Sequence, residues 1–416
     1  MLPSTPISAP DRQLPLDALR GFALLGILMM NIRMFSMPFA AYFNPTAYGS
    51  LDGLNYWVWF VGHVFFDQKF MTIFSMLFGA GIVLMTGRAE ARGDGPAMRH
   101  YRRMCWLLVF GLVHAYGLWS GDILVLYALC GAWVFLLRRR SPRTLLVLGA
   151  LVLAIGSLLS VGAYAGMQYL PPEEVAGIER ELGNPQPEDI ARELAAYRSG
   201  WWGQMPDRAK RSLEFHLQVF WLWGLWRAGG LMLVGMALFK LGVFSGRSRP
   251  QLYVAFVASG ALIGLPLVLA SVHDIELYDW GSLRAFFVDS QWNYWGSVFV
   301  SLGYVGLVML VVTRGILAPL VARLAAVGRM ALTNYLLHTL ICTTVFYGHG
   351  LGYFGYFSRT DQALLVVAIW LIQLVVSPLW LRRFEFGPFE WLWRALTYGQ
   401  APPFRRAPSQ VATGVA

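Results

Sequence analysis

Apolar residues gather in long uninterrupted runs, and the polar residues are concentrated in the gaps between them. Ten runs cover roughly residues 16–37, 56–86, 103–119, 121–137, 144–168, 217–243, 251–271, 293–313, 330–348 and 362–381. Stretches of about 18 to 25 apolar residues have the length that crosses a bilayer as helix, and the alternating segments of about ten residues that build a membrane barrel are absent. The pattern predicts an all-α fold, a polytopic membrane helical bundle of about ten transmembrane helices. The second run is too long for one crossing, because a continuous helix from Asn55 to Gly87 would extend about 48 Å against a hydrocarbon core of about 30 Å. The expected solution is an aromatic stretch, NYWVWFVGHVFF, at the outer interface where Trp and Tyr concentrate. A crossing helix then starts near Lys69, with Asp67 and Lys69 marking the outer boundary.

The first run, LDALRGFALLGILMMNIRMFSM, is interrupted by Asp17, Arg20, Asn31 and Arg33. At about 100° per residue, Asp17, Arg20, Leu24, Leu28 and Asn31 share one stripe, while Arg33 points the other way. Asn31 lies about 16 Å beyond Arg20, half a bilayer deep. One side of this helix is therefore expected to face something other than lipid. Either the stripe lines a polar cavity, or Asp17 and Arg20 form an ion pair at the membrane edge and Asn31 bonds a neighbouring helix.

Composition agrees with this reading: 57% of residues are hydrophobic and 13% charged, about half the charged fraction of a soluble domain. The net charge of +10 would suggest nucleic acid in a soluble chain, but here the arginines cluster between spans, and topology accounts for them without a nucleic-acid partner. With both termini cytoplasmic, 22 basic residues fall on the inside and 8 on the outside, as the positive-inside rule requires. The expected division is helices 1–5 over residues 1–170, an extracytoplasmic loop over 171–214, helices 6–10 over 215–400 and a disordered tail over 401–416. Within the loop, NPQPEDIARELAAY reads as a short helix with acidic residues in its first turn, where the helix dipole favours them. Gly315 to Val327 and the tail from Phe384 read as amphipathic interfacial helices. The polar leader before Leu16 lacks a basic start and a cleavage site, so the first span is expected to be retained. Cys105, Cys130 and Cys342 lie in apolar spans, no Cys/His spacing resembles a metal site, and no bound cofactor is expected.

The candidate chemistry rests on few residues. His63 and Asp67 are one helical turn apart, as are Asn334 and His338. A histidine beside a carboxylate has the composition of a general base with its orienting partner, which makes His63, Asp67 and His338 the catalytic candidates. Counting along the spans places His114, His338, Arg33 and Arg227 at depths comparable to Asn31, so these five are candidates for one cavity in the outer half. Asp122, in a tight turn after Gly121, is expected to cap a helix or to serve that cavity as an acid. There is no Walker motif, dinucleotide loop, GxSxG elbow or HExxH run.

Three stretches carry a resemblance: LDALRGFALLGILMMNI, DQKFMTIFSMLFGAGI, and RMALTNYLLHTLICTTVFYGHGLG followed by SPLWLRRFEFGPFEWLWRALTYG. At these the chain resembles the bacterial YeiB family, whose C-terminal region is a domain of unknown function. That implies a multi-pass protein of the bacterial inner membrane. The first helix is also similar to that of membrane acyltransferases, including heparan-α-glucosaminide N-acetyltransferase and bacterial O-acyltransferases. The latter carry arginine, ten residues, then histidine, where this chain has Arg20, ten residues, then Asn31. The glucosaminide enzyme has its catalytic histidine in the loop after the first helix, and residues 39–53 here contain none, which leaves His63 for that role. The resemblance implies transfer of an acyl group from a cytoplasmic thioester, acyl-CoA as co-substrate, to a small-molecule or glycan acceptor outside. A transporter whose pathway these polar residues line, and a noncatalytic scaffold, are the other readings. The charge asymmetry makes a direct prediction: reporter fusions after Arg140 and Gly246 are cytoplasmic and one within 171–206 is external, and a cytoplasmic result for that loop removes the ten-span topology.

Overall fold

In the computed structural model, residues 14–91, 93, 95–278 and 280–406 are described. They form an all-α bundle, with a lone bridge between Phe384 and Arg405 as their only β-type pairing. The leader before Leu14 lies outside the described residues. The first half holds α1 (Leu14–Ser36), α2 (Leu54–Val61), α3 (Lys69–Ala91), α4 (Pro96–Gly117), α5 (Leu124–Val134) and α6 (Pro142–Met167). Three helices follow in the loop, α7 (Pro172–Leu182), α8 (Pro187–Arg198) and α9 (Met205–Glu214). The second half holds α10 (Leu225–Lys240), α11 (Pro250–Ser259), α12 (Leu265–Tyr278), α13 (Ser290–Thr313), α14 (Ala318–Arg329), α15 (Ala331–Phe346), α16 (Arg359–Arg383) and α17 (Pro388–Tyr398). Turns of π-helix join α9 to α10 and α11 to α12 without interrupting the rod.

Among the described residues seven helical segments are long and apolar enough to cross a membrane, and α14 with α15, bent by 80° at their junction, makes an eighth. The two remaining predicted crossings are also helices: α4 carries Arg99, Arg102 and Arg103 in its first half, and α5 is short. The break expected near Lys69 falls at Asp67 and Gln68, where Gln68 takes a left-handed φ of 62° that a non-glycine side chain rarely adopts. Lys69 is 0% exposed, however, so it sits inside the protein and not at a wetted boundary.

α1 is the central helix. Its most apolar 18-residue stretch is 78% buried, whereas those of α6 and the α11–α12 rod are only 22% buried and form the rim. Its neighbours are α3, α14, α15 and α16, so nearly every face meets protein and the expectation of a single non-lipid side understates its burial. Small residues permit this: a Cβ on Gly21 would meet the Leu324 carbonyl, and one on Gly328 would meet that of Asp17. The same device joins α3 to α10, where Gly79 lies against Met232 and Gly235 against Met76. Where helices have no hydrophobic drive to leave lipid for each other, such close backbone approach supplies the dispersion contact.

The loop helices cover one end of the bundle. α8 opens with the expected acidic first turn, closed by a capping box between Gln186 and Asp189. Arg208 donates to the Tyr116 carbonyl at 2.9 Å and Asn44 to that of Gly183 at 2.7 Å. At the other end α14 and α17 occupy the two stretches read as interfacial. Of the tail read as disordered, residues 401–406 instead run along 383–385, with the Glu385 N–H donating to the Phe404 carbonyl at 2.9 Å; residues 407–416 lie outside the described residues. Overpacking a close helix contact costs about 1–3 kcal/mol. Gly235→Val should therefore lower the thermal midpoint clearly, whereas Gly162→Ala on α6, with nothing near its Cβ, should leave it unchanged or raise it.

Candidate functional site

Arginines gather at one end of the main cavity, and apolar residues continue from them along several of the helices that line it. Along α1 the order is Arg20, Leu24, Ile27; along α4, Arg103, Leu107; approaching and along α15, Arg329, Leu332, Tyr335; and down α3, Arg88 follows Phe74 by about 21 Å of helix. The cavity is open to the outside and has a volume of about 290 Å³, with Arg394 and Glu390 of α17 at the charged end and Ile123 with Tyr335 among the residues at the far end. At the charged end Arg20 pairs with Asp17 at 2.8 Å, and Arg103 lies over the Trp393 ring at 4.3 Å. α17 is held there by Glu390, which accepts from the Thr333 N–H at 3.0 Å and its hydroxyl at 2.5 Å. That carboxylate satisfies an otherwise open N–H in the first turn of α15.

Beyond the far end, three side chains form a chain of hydrogen bonds. His114 Nδ1 lies 2.8 Å from Asp122 Oδ1, and His114 Nε2 lies 2.8 Å from Thr339 Oγ1. A carboxylate only accepts, so Nδ1 carries the ring proton and Nε2 is left to accept from the threonine hydroxyl. Asp122 has a second task, since its other oxygen accepts from the Val125 N–H at 2.8 Å in the first turn of α5, the capping contact expected of it. All three side chains are at most 1% exposed. Tyr335 separates them from the cavity: its ring packs on the His114 ring with centroids 5.2 Å apart, and its hydroxyl accepts from the Ile123 N–H at 3.3 Å.

A second cluster surrounds Asp67. Asn293 donates to Asp67 at 2.8 Å and accepts from Lys69 at 2.6 Å, while His63 Nδ1 stands 3.6 Å from the carboxylate. Asp67 interacts electrostatically with Arg33, His63, Lys69 and Arg227. Arg227 donates to Thr72, Ser297 and the Tyr294 carbonyl and covers the Tyr294 ring at 4.4 Å, and Arg33 donates to the Trp59 carbonyl at 3.3 Å. The Asp67 carboxylate is therefore the nearby negative charge for three buried cations, linked to Lys69 through Asn293.

The five residues expected in one cavity are thus divided. Arg33 and Arg227 join the Asp67 cluster and His114 belongs to the Asp122–His114–Thr339 chain. His338 bonds Gln373 at 2.9 Å across α15 and α16, and Asn31 is partly exposed. Asn334 shares the His338 face but bonds Ser377 at 3.1 Å and the Val327 carbonyl at 3.2 Å. Asp17 and Arg20 lie at the main cavity, at its charged end, with Leu24 inside it and neither Leu28 nor Asn31 in its wall. The reading of the sequence missed Thr339, Tyr335, Asn293 and Gln373. Tyr335, Thr339 and Thr343 recur at a spacing of four on α15, a polar stripe that was open to detection. A second cavity, about 350 Å³ and polar, lies among α7, α8, α9 and Phe39. Within it burial pushes the Glu193 carboxyl up, against the opposing pull of Arg211 at 3.0 Å.

These features define an integral membrane protein of helices alone among its described residues, with an arginine-ended internal cavity and two buried polar clusters. The chain belongs to the YeiB family. It is 33% identical to the uncharacterized protein YeiB of Escherichia coli (strain K12), over 94% of this chain and 98% of that one. It is 30% identical to the uncharacterized protein YxaH of Bacillus subtilis (strain 168), over 92% and 93% respectively. A 39.9 kDa protein of Bacillus acidopullulyticus, described from the amylase 3' region, shares 28% over 96% and 97%. Residues 238–400 match the family model described as a protein of unknown function, DUF418, a stretch that includes Thr339, His338 and all of α17. No solved structure matches.

Breaking one member of a buried charge pair costs about 3–5 kcal/mol. Asp67→Asn and Lys69→Met are each expected to destabilise the protein strongly. The double variant should be less unstable than the sum of the two, with a coupling of about 0.5–3 kcal/mol in a denaturation cycle; strict additivity would remove Asp67 as the shared counter-charge.

Proposed function

We propose that the protein is a membrane acyltransferase of the bacterial inner membrane, taking its acyl group from a coenzyme A thioester and passing it to an acceptor on the opposite side. The observation that carries this reading is the order of residues around the main cavity, arginine first and then apolar side chains as far as Tyr335. An acyl thioester has the matching order, a polyanionic head followed by a long uncharged arm that ends in the thioester and its acyl group. Arginine suits the head because its planar fork bonds phosphate oxygens in pairs. Leu24, Phe74, Leu107 and Leu332 offer the arm and the acyl group beyond it a dry wall. The similarity of the first helix to membrane acyltransferases supports the same reaction class, and the excess of basic residues in the loops at that end supports a cytoplasmic arginine end, where thioesters are found. The polar second cavity, on the far side, suits a small-molecule or glycan acceptor.

A transporter is the second reading, favoured by the two helix breaks at Gln68 and Met330, since broken helices beside polar groups are a device of secondary transporters.

Calorimetry on the purified protein separates the two. Palmitoyl-CoA and acetyl-CoA should both bind, and binding should weaken as salt rises because phosphate contacts near the surface are screened. Arg20→Gln should weaken both by roughly tenfold, one charge-assisted contact, whereas Leu107→Trp should weaken palmitoyl-CoA more than acetyl-CoA. Absence of binding at millimolar thioester would transfer the weight to the transporter.

A further inference from the structure

We infer that Thr339 is a nucleophile that carries the acyl group covalently between the two sides of the membrane, with His114 as its base and Asp122 as the residue that orients the base. The inference rests on the acyl-transfer reading and adds a residue and an intermediate to it. Its geometry is the signature of an activated hydroxyl: nucleophile to base at 2.8 Å and base to carboxylate at 2.8 Å. Simple helix packing would be satisfied by one bond from a threonine to its own helix, as Thr344 makes to the Leu340 carbonyl at 2.7 Å. Thr339 instead bonds the imidazole of another helix, and that imidazole is held from behind by a carboxylate that α5 also fixes through Val125.

Position supports the role. Thr339 lies one turn, about 6 Å, beyond Tyr335 on α15, and Tyr335 lines the cavity where the thioester would end. The threonine is thus one side chain away from the donor site and 0% exposed. On its other flank Trp119 stands edge-on to His114 at 6.1 Å and is stacked on Phe35 at 4.0 Å. An aromatic gate closes each side, so an ester formed between them is kept from water. A direct transfer would require donor and acceptor to meet in this space together; a covalent relay requires only one at a time.

The steps balance without another reagent. Thr339 Oγ1 attacks the thioester carbonyl carbon and its proton passes to His114 Nε2, while Asp122 holds Nδ1–H. The Tyr335 hydroxyl, which accepts from Ile123 N–H, keeps its own proton to donate to the carbonyl oxygen as charge builds there. The carbon–sulfur bond breaks, the thiolate leaves with the proton from Nε2, and an acyl-Thr339 ester remains. In the second half an acceptor hydroxyl or amine gives its proton to Nε2 and attacks the ester. The carbon–oxygen bond to Thr339 then breaks, and Nε2 returns the proton to the threonine.

The test is rapid-quench mass spectrometry of the full chain mixed with acetyl-CoA, with calorimetric binding of the same thioester measured in parallel. The wild type should gain one acetyl group in a hydroxylamine-sensitive linkage that maps to the peptide containing Thr339. Thr339→Ser should retain the adduct, and Thr339→Val should lose it while binding acetyl-CoA within about twofold of wild type, because Thr339 is not in the cavity wall. Asp122→Asn should slow adduct formation by a hundredfold or more. Thermal midpoints identify any variant that has merely unfolded, and the serine variant keeps the test decisive in that case. A wild type that binds the thioester without forming an adduct, or an adduct that survives in Thr339→Val, overturns the relay and leaves the acyl-transfer reading standing. A wild type that binds no thioester overturns both.

Discussion

The contact on which the bundle depends is the approach of α1 to α14 at Gly21 and Gly328, where each glycine lies against a carbonyl of the other helix. No side chain fits between them, so α1 is drawn into the middle of the protein and its Asp17–Arg20 end is brought to the rim of the main cavity. α15 follows directly from α14 through an 80° bend, and its position is fixed by the same contact. Both walls of the cavity that face α3 and α4 are therefore set by two residues without side chains. In lipid, where apolar surface alone does not select a partner, this shape-based contact does what a hydrophobic core does in water.

The satisfaction of polar groups follows the same economy. Asp67 answers several cations, Asn293 both donates and accepts between Asp67 and Lys69, and Gln373 links His338 to the Asn334 carbonyl by accepting from one and donating to the other at 3.2 Å. Each bridging amide removes the need for two separate partners in a medium that offers no water. The relay at His114 differs in one respect. Its members end on a hydroxyl that donates to an imidazole of another helix, the contact on which the proposed acyl transfer draws.

Much of the helical order was legible because hydropathy in a membrane chain records a physical length, and the break near Lys69, the short loop helix and the two interfacial helices were legible for related reasons: excess length, an acidic first turn, and mixed aromatic and charged composition. The grouping of polar residues was less so. Depth along a helix placed Arg33, His114, Arg227 and His338 at similar levels, but depth carries no information about which helices are neighbours. Only the fold shows that His114 meets Thr339 of α15 while His338 faces α16, Thr339 and His338 being adjacent residues on one helix turned about 100° apart. The bias toward histidine hid Thr339 beside it, since a threonine in an apolar span reads as ordinary helix glue.

Glu390 ties the start of α15 to α17, so the helix bearing Thr339 is capped by a residue that lies near the C-terminus. In time, this means that the site is finished last. During synthesis α1 to α15 can enter the bilayer while the first turn of α15 still has an open N–H and the cavity has no Trp393 or Arg394 at its rim. Only when the ribosome has delivered α17 is the helix end closed and the cavity given its full outline.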